Sequence, residues 1–392
     1  MILSQIEANG ISHRIATTWP ATSTRPDTPS GSSAHHPPRR RRRRTPASSQ
    51  PLIMFLHGWP ESFYSWRHQL SFFASRGYRC CAPDMRGCGQ TDAPTNVSDY
   101  NVHTLANDVV SIASALGHDR FVVVGHDFGS WLAWRIAVLH PDRVLAVCGM
   151  SVPYVGQSPK HFGPLEQLQR RYGRCLDATF PDEERRNTKF HYMLHHCLPG
   201  AAEEYGRNVE EALYRLYAYQ PGVDCFDDTP EVSDKRMFLP KQQKRRVARF
   251  DASSAPGWWQ RLPRPVKLPP WLSKNDLDFY ISEFQSAGFA GGLKWYQALD
   301  MNWEAMQQQT DVIIHLPALF IAGEEDGVIR AHGGVEFVNK RMEKFCENLD
   351  GVIILKGAGH WIQQERAYDV NICLLRFLDM YVPTEMIQLS KL

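Results

Sequence analysis

The segment Gly125-His126-Asp127-Phe128-Gly129 sets one carboxylate between two glycines. It follows the apolar run Phe121-Val122-Val123-Val124 and precedes Ser130 to Leu139, which Pro141 closes. The β-branched run suits a strand buried on both faces, and the segment after the turn reads as a helix. Glycines on either side leave room for a tight turn that pushes the central side chain above the sheet at a helix N-terminus. A carboxylate with an ordinary pKa of about 3.9 is ionised at neutral pH, and the positive end of the helix favours that form further. Such a group attacks saturated carbon without a base to activate it. Taken alone, the same five residues also fit an Asp in an ordinary Gly-rich turn or at a helix N-cap.

Two later stretches carry candidate partners. Gly323-Glu324-Glu325-Asp326-Gly327 follows the apolar run that starts at Pro317, and Gly357-Ala358-Gly359-His360-Trp361 follows Gly351 to Leu355. Singly, Asp326 suits a turn or cap and His360 a structural histidine. Together with Asp127 they give nucleophile, acid and histidine in that chain order, each at a strand end, which is the order of the α/β-hydrolase triad. Asp326 is preferred over Glu324 and Glu325 because it stands farthest beyond its strand.

The elements that must position these groups alternate. A hairpin spans Gln5 to Ile15 around Asn9-Gly10, and a strand at Pro51 to Leu56 ends in His57-Gly58-Trp59-Pro60-Glu61. A helix over Trp66 to Ser75, a strand over Tyr78 to Ala82 and a helix over Thr104 to Leu116 lead to the central strand, and Arg143 to Met150 is the strand after its helix. This pattern predicts a mostly parallel sheet flanked by helices, with its ligand site at the carboxyl ends of the strands. Between Ser151 and Gln309 the alternation stops, and helix formers, aromatics and prolines predict an inserted helical lid. The expected division is therefore a core of residues 1–150 and 310–392 with a cap of residues 151–309. A final helix is expected from Glu365 to Tyr381.

Composition narrows the class. The 392 residues are 43% hydrophobic and 22% charged, with a net charge of +2, which describes an ordinary globular enzyme. Six of the positive charges form the run Arg39 to Arg44 within a Pro/Ser/Thr/Arg-rich stretch, Pro20 to Gln50, read as a disordered surface insertion. The remainder offers no broad basic face for nucleic acid. Nine scattered cysteines point to reduced, buried thiols in an intracellular protein. Met1 to Glu7 is too short and polar for a signal peptide, and no apolar run approaches membrane-spanning length. Ser390-Lys391-Leu392 reads as a peroxisomal import address, which makes an import receptor the expected partner.

On these residues the chain resembles the epoxide hydrolases of the α/β-hydrolase superfamily. The likeness runs through His57-Gly58-Trp59-Pro60-Glu61-Ser62, Tyr64-Ser65-Trp66-Arg67, Ala82-Pro83-Asp84-Met85-Arg86-Gly87, Gly125-His126-Asp127 and Gly357-Ala358-Gly359-His360-Trp361. In the lid, Phe190-His191-Tyr192-Met193-Leu194 with Pro199 to Glu203, and Gly291-Gly292-Leu293-Lys294-Trp295-Tyr296, look like the segments by which that family places two tyrosines over the nucleophile. The resemblance implies Tyr192 and Tyr296 as ring-opening acids, which spacing alone would not select. It implies Asp127 as nucleophile, His360 with Asp326 as the water-activating pair, and the backbone N–H groups of Trp59 and Phe128 as oxyanion donors. His57, Pro60, Met193, Trp295 and Trp361 are expected to line the substrate pocket. No metal or organic cofactor is expected, and the partners are a small-molecule epoxide and water. His195 and His196 depart from that pattern and are expected at the lid surface or in the pocket lining; His-His-x-Cys lacks a second group of metal ligands. Two rivals share the scaffold. A dehalogenase would carry Trp or Arg after the nucleophile where Phe128 stands, and a non-catalytic small-molecule receptor would keep the fold without turnover.

Overall fold

The computed structural model describes residues 1–19, 51–156, 162–172, 191–219, 258–262, 264–309 and 312–382. Residues 20–50, Phe190 and Ser390 to Leu392 lie outside them. Eight strands form one sheet in the order β1-β2-β4-β3-β5-β6-β7-β8, namely β1 (Ile2–Ala8), β2 (Ile11–Thr18), β3 (Leu52–Leu56), β4 (Arg79–Pro83), β5 (Phe121–His126), β6 (Val144–Met150), β7 (Ile314–Gly323) and β8 (Cys346–Leu355). β1 pairs antiparallel with β2 and β2 with β4, whereas every pair from β4 across to β8 is parallel. Asn9 and Gly10 adopt positive φ in the β1–β2 turn, as a two-residue hairpin requires.

β3 and β5 are buried throughout, so their side chains serve both faces in alternation. Leu52, Met54, Leu56 and Val123 meet the helices Val102–Ala115, Phe128–Leu139 and Val335–Phe345 on one face. Ile53, Phe55, Val122 and Val124 meet Arg67–Ala74 and Ala367–Tyr381 on the other. A buried Val side chain contributes about 1.5 to 3 kcal/mol, so the run before Asp127 fixes the strand that carries it. β7 and β8 both begin earlier than their apolar runs suggest, at Ile314 and Cys346, because the upstream residues still pair across the sheet edge. The last helix begins at Ala367 after a separate short one, Ile362–Glu365.

Helices come between β6 and β7. Tyr192–His196, Ala201–Gly206, Val209–Ala218, Lys274–Ala287 and Ala290–Gln297 share an apolar cluster built on Tyr205, Leu213, Tyr217, Tyr280 and Leu293. Trp59 and Trp361 of the sheet layer join the same cluster. Polar ties fasten Lys274–Ala287 across the sheet layer. Arg14 pairs with both Asp84 and Glu283, and Asp276 accepts from Arg67 at 3.0 Å and from the Tyr64 hydroxyl at 2.9 Å.

Candidate active site

Asp127, Asp326 and His360 follow β5, β7 and β8, and the sheet order brings those three carboxyl ends to one edge. Asp127 stands between β5 and Phe128–Leu139 with φ +53° and ψ −119°. A non-glycine residue held there stores about 1 to 3 kcal/mol of strain. The glycines around it allow the turn, since a Cβ on Gly125 would strike the Gly129 carbonyl and one on Gly129 would strike that of Leu56. Asp127 Oδ1 accepts the Trp59 N–H at 3.0 Å, and Oδ2 lies 3.7 Å from His360 Nε2. The Phe128 N–H opens its helix beside Asp127, among the N–H groups without an intrahelical partner.

His360 Nδ1 stands 3.0 and 3.1 Å from the two Asp326 oxygens, and Asp326 Oδ1 also caps the next short helix by accepting the Val328 N–H at 2.8 Å. Burial pushes the Asp326 carboxyl up, but His360 and the Val328 N–H outweigh it and leave its pKa below the ordinary value. Burial likewise favours neutral His360, yet Asp326 and Asp127 together hold its pKa well above the usual imidazole range. Tyr192 and Tyr296 arrive from separate helices with ring centres 6.1 Å apart. Burial, and after it the Asp127 charge, pushes both phenols up, so they keep their protons.

The four groups Asp127, His360, Tyr192 and Tyr296 share a cavity of about 180 Å³ whose apolar walls include Leu216, Trp258 and Leu262. Pro60 and Trp361 line it as well. His57 and Trp295 line a separate small cavity with Phe128 instead, and Met193 lines neither. The reason for His57 is its hydrogen bonding: Nε2 accepts the Met85 N–H at 2.9 Å while Nδ1 donates to the Gly58 carbonyl at 2.8 Å. Burial pushes its pKa down and keeps it neutral, so it braces the loop that carries Trp59. Trp295 donates its indole N–H to the Arg86 carbonyl at 3.0 Å.

His195 and His196 lie neither at the lid surface nor in the pocket lining where they were expected. Both are buried, and neither lines the cavity. His195 Nε2 lies 2.5 Å from Glu204 Oε2, and His196 Nε2 lies 2.8 Å from the Tyr205 hydroxyl. Burial holds His196 neutral within a box of aromatic rings that includes Trp59 and Tyr296. Among the described residues no group of three or more metal-ligating side chains occurs. Cys80, Cys81, Cys88, Cys148 and Cys346 are buried free thiols, and burial pushes Cys80 up to about 12. No helix among the described residues is long and apolar enough to cross a membrane.

Two functional-site residues carry no chemistry that the sequence reveals. Glu61, fully buried, accepts the Gly58 N–H at 2.8 Å, His126 Nδ1 at 2.7 Å and the Gln363 amide at 2.7 Å. Burial alone would raise its carboxyl, but His126, His57 and the Gly58 N–H bring it down to about 2. His126 Nε2 in turn donates to the His360 carbonyl at 2.8 Å. Glu61 thus links the loop of Trp59, the residue before Asp127 and the backbone of His360. Its place three residues after Gly58 is the one local hint.

A strained carboxylate after the central strand, a His–Asp pair after the last two and a lid of helices above them define an enzyme of the α/β-hydrolase fold. Residues 51–187 match that fold family. The chain is 34% identical to epoxide hydrolase A of Mycobacterium tuberculosis over 336 residues, which span 84% of this chain and 90% of that protein. It is 31% identical to epoxide hydrolase 1 of Siraitia grosvenorii, over 86% of this chain and 94% of that one. The crystal structure of epoxide hydrolase A from Mycobacterium thermoresistibile aligns with a TM-score of 0.74 at 30% identity, covering 96% of this chain and 98% of its own. The chain belongs to the epoxide hydrolases.

Proposed function

We propose that the chain converts epoxides to vicinal diols through an ester on Asp127. The observation that carries this reading is the pair of buried phenols that share one cavity with the Asp127 carboxyl group. Asp127 forms a C–O bond to one ring carbon as the carbon–oxygen bond of the strained ring breaks. The departing oxygen takes a proton from Tyr192 or Tyr296. His360, oriented by Asp326, then removes a proton from a water that adds to the ester carbonyl, and the N–H groups of Trp59 and Phe128 receive the oxyanion. Collapse expels the diol oxygen, which takes the His360 proton. The proton left on the Asp127 carboxyl restores the phenol.

Charge coupling orders these steps. The Asp127 anion raises both phenol pKa values and that of His360. Esterification removes that charge, so the phenols become better acids as the alkoxide appears and the His360 pKa falls towards the range of a base as water must be activated. The apolar walls favour an epoxide with an apolar arm.

A single turnover in ¹⁸O-labelled water tests the ester. The oxygen newly gained by the diol is expected to be light, because it comes from Asp127, and a heavy oxygen would mean that water struck the ring directly. Residues 1–150 and 310–392 serve as the catalytic core in this reading and residues 151–309 as the lid, a division supported by the separate apolar cluster of the helices between β6 and β7. Import into peroxisomes, with lipid-derived epoxides as substrates there, is supported by Ser390-Lys391-Leu392. Unchanged localisation after deletion of those three residues would remove it.

A further inference from the structure

Glu365 takes no part in the steps above, yet its side chain lines the same cavity and grips the backbone on both sides of His360. Oε2 accepts the Gly359 N–H at 2.7 Å and Oε1 accepts the Trp361 N–H at 2.8 Å. The His360 carbonyl is held separately, by His126 Nε2 at 2.8 Å and the Ser151 hydroxyl at 3.0 Å. The peptide groups around the base are therefore pinned from two directions, and Glu365 supplies both contacts on the N–H side.

The two chemical steps depend on this loop unequally. Asp127 is set by its own strained turn and by the Trp59 N–H, and the phenols ride on lid helices. The side-chain hydrogen bonds of Glu365 go to Gly359 and Trp361 and to none of these anchors directly. Hydrolysis differs, because His360 Nε2 must stay within one water's reach of the ester, and its present separation from Asp127 Oδ2 is 3.7 Å. We propose that Glu365 is a positioning residue for His360 that governs hydrolysis of the ester and leaves ester formation unaffected, a role that rests on the ester mechanism above. A carboxylate satisfies both N–H donors, whereas an amide offers one oxygen and turns its NH₂ against the other donor. With the His360 carbonyl still held, the expected displacement is within about 1 Å, which in a reacting geometry costs up to about 100-fold in rate.

The test is single-turnover kinetics with enzyme in excess over styrene oxide, followed by tryptophan fluorescence and by intact-protein mass spectra of quenched samples. For Glu365→Gln, ester formation is expected within about threefold of the unchanged chain, hydrolysis about 10- to 100-fold slower, and the adduct is expected to accumulate. Glu365→Asp keeps the charge but shortens the reach, and is expected to lose less of the hydrolysis rate; it carries the same comparison should the Gln variant not fold. Equal slowing of both steps would reduce Glu365 to a general structural support and overturn the proposal, as would an unchanged hydrolysis rate. Absence of an adduct on the unchanged chain, with diol still formed, would overturn the ester mechanism and this role with it.

Discussion

Gly58 is the residue whose replacement most directly tests whether Asp127 acts from the position it holds. A Cβ built on Gly58 would stand 2.8 Å from Asp127 Cγ and closer still to its Cβ and Oδ1. Carbon atoms in good contact are about 3.5 to 4.0 Å apart, so Gly58→Ala demands a relative shift on the order of 1 Å. The loop has little freedom to yield. Its Gly58 N–H is bonded to Glu61 at 2.8 Å, its Trp59 N–H to Asp127 at 3.0 Å, and the Pro60 carbonyl accepts the Tyr217 hydroxyl. The turn is equally confined, because Gly129 backs onto the Leu56 carbonyl. Overpacking of this kind costs about 1 to 3 kcal/mol of stability, and a 1 Å displacement of a reacting group costs about 100-fold in rate. Rapid-quench measurement of ester formation is therefore expected to fall about 100-fold in the variant, with the folded state retained by circular dichroism. An ester that forms at the unchanged rate would refute the geometry assigned to Asp127 and the Trp59 loop.

Tyr192→Phe and Tyr296→Phe each remove one donor from the ring oxygen, so each is expected to slow ester formation about 100- to 1,000-fold while leaving hydrolysis of the ester unchanged; equal rates with either phenylalanine would deny the phenols their role. The pH profile carries a sign. Asp127 and Asp326 both raise the His360 pKa in the free enzyme, and esterification of Asp127 removes one of them. The acid limb of the hydrolysis phase is thus expected at lower pH than the His360 titration seen by NMR in the free protein, and a limb at higher pH would contradict the coupling. For Glu61 the folded-state pKa is depressed from 4.5 to about 2, so its stabilisation is present above about pH 4.5 and is lost as pH falls towards about 2. At 1.36 kcal/mol per pH unit that amounts to about 3 kcal/mol at neutral pH. Glu61→Gln is expected to lose about that much in urea melts at pH 7 and to flatten the acid side of the stability curve; an unaltered slope would count against the His126–Glu61 link.

Which parts of this site can be read from the chain order follows from how each is made. Asp127, Asp326 and His360 are legible because a parallel sheet gathers strand ends at one edge, so a residue type placed just after a strand already has an approximate position in space. The hairpin at Asn9-Gly10 is legible for a similar local reason. Tyr192 and Tyr296 are not, since their meeting at 6.1 Å is produced by two lid helices whose approach no periodicity records, and only the family resemblance selects them. Adjacency misleads for His195 and His196. Neighbours on a helix point about 100° apart, and each finds a buried partner nine residues on, at Glu204 and Tyr205, so neither reaches surface or cavity. Glu61, His126 and Glu365 are harder still. Glu61 meets Gln363 across 302 positions and His126 meets His360 across 234, and none of the three residue types is unusual where it stands. Glu365 lies only six positions from Gly359, yet even that short reach has meaning only after β8 has delivered His360 to the edge beside Asp127. Asp127, Asp326 and His360 are thus encoded by where strands end, whereas the two phenols and the groups that hold the site still are encoded by contacts that exist only once the sheet and lid have closed around one cavity.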